Sequence, residues 1–156
     1  MENLRLYRIR DDYIAALHKV DNRVQYNKNA KRPYVGIVLT VCGNDYFVPM
    51  ESPKPNHANI KPGIHIMKLD EGKYWLLGFN NMLPAKHCHL IEFDIDSEPD
   101  ANYKELLKNQ LRYCRNNSNR IRDHAEKTYK AVVTKKSPFY VKICCDFVSL
   151  EKESNK

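Results

Sequence analysis

The chain is poor in glycine, with five in 156 residues, and none are grouped into a phosphate-cradling loop. The common nucleotide hydrolases are therefore excluded. Long apolar runs are missing too: no stretch approaches the roughly 18 residues that a spanning helix needs. Met1 to Tyr13 carries Arg5, Arg8, Arg10, Asp11 and Asp12 with no apolar centre. It does not read as a signal peptide, and the chain is expected to stay in the compartment where it is made. Cysteine is present but unpatterned. The five (Cys42, Cys88, Cys114, Cys144 and Cys145) are odd in number and no two are spaced Cys-x-x-Cys, which argues against a zinc knuckle or a disulfide framework.

What is there is a balanced globular composition, 42% hydrophobic and 29% charged, with the length of a single domain over residues 1–156. The net charge is +7, and all of the excess lies between Ala101 and Lys136, where 10 basic residues face 3 acidic ones. A smaller basic patch holds Arg23, Lys28, Lys31 and Arg32. Tyr26, Tyr34, Tyr103, Tyr113 and Tyr129 are interleaved with these segments. Cations alternating with rings suit a polyanion with splayed bases, which points to single-stranded nucleic acid. A solvated helix face and ordinary core tyrosines would give the same pattern.

Periodicity predicts strands first and helices later. Leu4 to Ile9 reads as a strand, followed by a helix from Tyr13 to about Val20 capped by Asp11 or Asp12. Residues 21–33 read as a loop. Tyr34 to Val41 and Tyr46 to Met50 form a hairpin, with Pro49 expected to end or bulge its second strand. Glu51 to Gly63 is a proline-rich loop, Ile64 to Leu69 and Tyr74 to Phe79 form a second hairpin, and Asn80 to Pro84 breaks the pattern. His89 to Asp94 is a further strand. Asp100 caps a helix whose stripe is Tyr103, Leu106, Leu107, Gln110, Leu111 and Cys114. A second helix follows Asn119, Phe139 to Cys145 reads as a closing strand, and Asp146 caps a terminal helix. The expected class is α+β, a compact antiparallel β-sheet or small barrel surrounded by helices.

Two stretches carry candidate chemistry. His87-Cys88-His89 offers two imidazoles on one predicted strand face, but no second cluster completes a metal's ligands. No metal or cofactor is expected. Glu51-Ser52-Pro53-Lys54 concentrates a carboxylate, a hydroxyl and an ammonium at a strand end, with His57 close behind. Metal-free RNA cleavage needs a base for the 2′-hydroxyl, a cation or donor for the phosphorane, and an acid for the leaving oxygen. By composition alone the stretch also fits a polar, proline-rigid surface loop.

Tyr34-Val-Gly-Ile-Val-Leu39, Tyr46-Phe-Val-Pro-Met-Glu-Ser-Pro-Lys54 and Phe79-Asn-Asn-Met-Leu-Pro84 together resemble the ToxN/AbiQ family of type III toxin–antitoxin endoribonucleases. The opening Leu6 to Tyr13, the helix of Tyr103, Leu107 and Gln110, and the closing Cys145 to Glu151 fit the same order. The resemblance implies a sheet distantly like that of the MazF/Kid toxins. It also implies sequence-selective RNA cleavage without metal, leaving a 2′,3′-cyclic phosphate and a 5′-hydroxyl. The implied partners are cellular RNA substrates and a repeat-derived pseudoknot RNA antitoxin, which the toxin processes and which inhibits it in a closed cyclic assembly in the bacterial cytoplasm. By the same resemblance Ser52 and Lys54 are active-site residues, and Tyr13, Tyr26, Lys31, Arg32 and His57 fall at RNA-binding positions. The family commonly has Thr or Ser before Ser-Pro-Lys, where this chain has Glu51. The carboxylate is expected to take the base role or to orient Lys54. A non-catalytic RNA-binding module, and a metal hydrolase using His87 and His89, are the rival readings.

Overall fold

The computed structural model describes residues 3–26, 31–52 and 63–156. Seven strands and five α-helices follow the chain as β1 (Arg5–Ile9), α1 (Asp11–Val20), β2 (Tyr34–Val41), β3 (Asn44–Glu51), β4 (Ile66–Lys68), β5 (Leu76–Gly78), β6 (Leu83–Ala85), β7 (Leu90–Glu92), α2 (Ala101–Asn116), α3 (Ser118–Val133), α4 (Pro138–Ile143) and α5 (Phe147–Ser154). All pairings are antiparallel, in the order β4-β5-β3-β2-β1-β7, with β6 also on β3. The fold is α+β as expected. Its sheet is an open path and not a closed barrel: the order ends on β4 at one side and β7 at the other.

β3 organises everything else. Asn44 to Pro49 pair with β2 and Asp45 to Phe47 also with β6, while its last two residues, Met50 and Glu51, pair with Leu77 and Leu76 of β5. Tyr46, Phe47, Val48 and Met50 are all buried, each burial contributing on the order of 1.5–3 kcal/mol. Opposite Phe47 stands Gly36, where an added Cβ would lie 2.2 Å from the aromatic ring. Only glycine lets this ring lie against the neighbouring strand. Pro49 does not end β3. It pairs with Tyr34 at the end of the β2 ladder, the next amide (Met50) donates to the Pro33 carbonyl, and the bulge falls on β2 between Gly36 and Leu39.

Helix α1 begins at Asp11, two residues earlier than its apolar pattern suggests. Arg10 is its N-cap, and Asp12 accepts from the Tyr13 amide at 2.8 Å while pairing with Arg10. Asp100 caps α2 as expected, accepting from the amides of Asn102 and Tyr103 at 3.0 and 3.1 Å. Asp146 likewise caps α5 through the Ser149 amide. Two elements depart from expectation. Leu83–Ala85, within the segment expected to break the pattern, forms β6, a short strand on which Pro84 is tolerated opposite Tyr46. The predicted closing strand, 139–145, is instead helix α4 followed by a bend, because Pro138 at its first turn presets the helical φ behind Ser137. Among the described residues no helix is long and apolar enough to cross a membrane.

Candidate active site

β3 leaves the core at Glu51, and Ser52 follows it into solvent. The Glu51 carboxylate lies over Gly78 of β5, where a Cβ would sit 2.9 Å from Oε1, and the Asn81 side-chain amide donates to the same oxygen at 3.3 Å. A side chain at position 78 would push the carboxylate away. Asn81 belongs to the turn after β5, which is anchored by the Cys145 amide donating to the Asn80 carbonyl at 3.0 Å.

A second wall comes from the segment after α1. Asp21 is buried and ties it down: it accepts from the Arg23 side chain at 2.9 Å, the Arg23 amide at 3.0 Å and the Asp146 amide at 2.7 Å. Burial pushes the Asp21 carboxyl up, but these donors outweigh it and hold it below the usual carboxylate range. Val24 is buried beneath, and its carbonyl meets His18 Nδ1 at 2.7 Å. The His18 ring in turn backs Tyr26, ring centroids 4.4 Å apart, leaving Tyr26 58% exposed.

Between these walls lies a cavity of about 540 Å³. Tyr26, Lys31, Arg32, Glu51 and Ser52 all line it, so residues from two segments of the chain meet at one place. Arg32 lines the cavity beside Lys31, and its Nε is buried with no hydrogen-bond partner among the described residues; the two cations suit an anionic ligand. Lys54 and His57 lie outside the described residues. Tyr13 is not among the residues lining the cavity. It is buried, donates to the Pro84 carbonyl at 2.5 Å, and stacks on His89 at 3.6 Å. Burial pushes its hydroxyl up to about 12.

Among the lining residues that the sequence reading did not single out are His18 and Trp75, while Tyr103 entered it only as one of the rings interleaved with the basic segments. Trp75 has φ +75, in the left-handed region, which costs a bulky residue on the order of 1–3 kcal/mol. Its position just after an Asp-Glu-Gly-Lys turn is the one signal a sequence offers. Asn81 was visible only as part of a motif block.

His87 and His89 do not share a strand face. They sit in a 3-10 turn, where His89 Nδ1 accepts from the Lys86 amide at 3.0 Å and its ring is covered by Tyr13. Among the described residues no three His, Cys, Asp or Glu side chains gather as metal ligands.

The model of the family described as toxin ToxN of type III toxin–antitoxin systems matches residues 5–155. This chain belongs to the ToxN family. It is 32% identical to the endoribonuclease ToxN of Bacillus thuringiensis subsp. kurstaki, over 97% of this chain and 83% of that protein. It is 29% identical to the endoribonuclease AbiQ of Lactococcus lactis subsp. lactis, over 97% and 87%. A solved type III toxin–antitoxin structure, in which a non-coding RNA pseudoknot selectively inhibits the toxin, superposes with a TM-score of 0.88 at 31% identity, over 99% of this chain and 97% of that one. Another, from a bacterial antiviral system regulated by a processed non-coding RNA, superposes at 0.84 and 27% identity, over 97% of each chain.

In this ToxN-family chain the basic helices meet the cavity only at Tyr103. Lys108, Arg112 and Arg115 of α2 line a separate cleft with Ile95 and Leu111. On α3, Lys127 and Lys130 are paired with Asp123 and Glu126 one turn away. No basic residue of 101–136 is among the described residues that line the cavity.

Proposed function

We propose that this chain is an endoribonuclease toxin that cuts RNA by transesterification without a metal ion. Glu51 takes the proton from a 2′-hydroxyl, and the freed oxygen attacks the adjacent phosphorus. The bond from phosphorus to the 5′-oxygen breaks and the departing oxygen picks up a proton, leaving a 2′,3′-cyclic phosphate and a 5′-hydroxyl. Ser52 donates or relays a hydrogen bond to a non-bridging oxygen. Lys54, two residues further along the chain, balances the charge that builds on the phosphorane. Tyr26, Lys31 and Arg32 position the RNA, and His57 contributes to the same surface. Tyr13, its hydroxyl given to Pro84, supports the sheet behind the site and is assigned no contact with RNA.

One observation carries this reading: Glu51 and Ser52 share a cavity with the ring of Tyr26 and the cationic residues Lys31 and Arg32. Family membership supports it, as does the similarity to proteins named endoribonucleases. By the same similarity the partner is a repeat-derived pseudoknot RNA antitoxin, which this toxin processes and which holds it inactive in a closed protein–RNA assembly in a bacterial cytoplasm.

The test incubates purified protein with a mixed RNA pool in EDTA and maps the new ends. Cyclic phosphate termini are expected, and Lys54→Ala should lower their rate of appearance by about 10²–10³ with an unchanged circular dichroism spectrum. Cleavage abolished by EDTA would replace this reading with a metal hydrolase. Binding without cleavage, unaffected by Lys54→Ala, would replace it with an RNA-binding module.

A further inference from the structure

The chain contains one tryptophan, and the backbone holds it in a conformation that tryptophan disfavours. The connection between β4 and β5 has left-handed φ at Asp70, Glu71, Gly72 and Trp75. It is closed by the Leu69 amide donating to the Trp75 carbonyl at 2.9 Å and the Trp75 amide donating to the Gly72 carbonyl at 3.1 Å. Glu51 pairs with Leu76, so one more step of the same antiparallel register sets Trp75 opposite Ser52. The indole reaches the cavity rim, where Tyr103 lies beside it with ring centroids 6.3 Å apart and planes 29° from parallel. Tyr103 is itself fixed, because its amide is the one that Asp100 caps at the start of α2.

The rim thus presents two near-parallel rings, while the cavity they border is also lined by the cationic Arg32 and by Ser52. A flat ring beside an anion is the chemistry of a nucleotide. A purely apolar ligand would make no use of the cation, and a bare anion would leave the rings unused. We propose that Trp75, braced by Tyr103, is a stacking site for one nucleobase of the RNA, next to the phosphate that Ser52 meets. The inference rests on the RNA-cleaving reading above and adds a specificity determinant to it. Because stacking strength grows with ring area, the position favours a purine over a pyrimidine.

The lone tryptophan makes the test direct, since the protein's indole emission comes from this residue alone. The probe is a set of short single-stranded 2′-O-methyl RNAs, whose blocked 2′-oxygen prevents cleavage, each carrying one abasic position and a label for anisotropy. Base-bearing probes are expected to quench the emission on binding, and one abasic position should abolish the quenching. Trp75→Ala should weaken binding between about five-fold and a hundred-fold, raise KM for cleavage more than it lowers kcat, and relax the purine preference. Trp75→Phe keeps a ring and should restore most of the affinity, which a lost packing contact alone would not predict. Tyr103→Leu, which spares the strained backbone, should give a smaller loss of the same kind. Full binding by anisotropy with unchanged emission would overturn the stacking site while leaving the nuclease intact, and so would a Trp75→Ala protein that cuts with the same preference. No anisotropy change together with no cleavage would overturn the RNA-cleaving reading, and this inference with it.

Discussion

Two carboxylates flank the same sheet and are treated differently. Glu151 of α5 accepts from the hydroxyls of Tyr46 and Tyr129, at 2.5 and 2.9 Å, beneath the stacked rings of Tyr129 and Phe147. Burial, the hydrogen bond to Glu151 and the Glu151 charge together push both tyrosine hydroxyls upward, so they stay protonated and donate at neutral pH. Among the described residues Glu51 accepts one longer contact, from Asn81, and lies over Gly78 on the wall of a cavity. Glu151, taking two tyrosine hydroxyls on its Oε2, fastens α5 to β3 and α3. Glu51 sits on the cavity wall, where a ligand can meet it.

The contrast breaks if the two are interchangeable. Glu51→Gln should lower RNA cleavage by about 10²–10⁴, the usual worth of a positioned acid or base, with a melting temperature near that of the parent. If it cuts at the parent rate, the base role belongs elsewhere. Glu151→Ala should do the reverse. Two buried hydroxyls lose their acceptor, so stability falls by about 1–3 kcal/mol, read by urea unfolding, while cleavage by the folded fraction is little changed. Asp21 sharpens the contrast by standing between the two, structural in its bonds yet part of the cavity's frame. Its carboxyl sits below the ordinary range when folded, so its stabilisation is complete at neutral pH and is lost as pH falls through the carboxylate range. Asp21→Asn should therefore narrow the stability gap between neutral pH and acid pH below the ordinary carboxylate range, the smallest of these effects, checked by melting curves across that interval.

Much of the architecture was legible in local chemistry. The α2 stripe and its Asp100 cap were readable because spacing and capping act within a few residues, and the β2–β3 hairpin because its strands are long and apolar. The failures have equally local causes. Phe139-Tyr140-Val141 reads as strand by side-chain preference, and the Ser137-Pro138 start that makes it a helix was outvoted. β6 is too short and too proline-marked to be seen without its partner β3. At the site, Glu51 and Ser52 were readable as neighbours in one motif. Tyr26, Lys31 and Arg32 came from charge and resemblance. His18 and Trp75 were invisible as site members because tertiary structure alone brings them there, through a carbonyl held by His18 and a left-handed backbone, and Tyr103 was visible only as a ring among cations. Tyr13 shows the converse. A tyrosine that the motif sets near the chemistry spends its hydroxyl on Pro84.

Because Glu51 ends the strand that also carries Phe47 and Val48 through the interior, that floor of the cavity cannot drift without dragging the centre of the sheet along. Divergence among such molecules therefore has its freest play in the rim, where the 21–26 segment and the 69–75 turn can be rewritten while the floor stays put. A designer seeking a new target sequence would begin at those two edges.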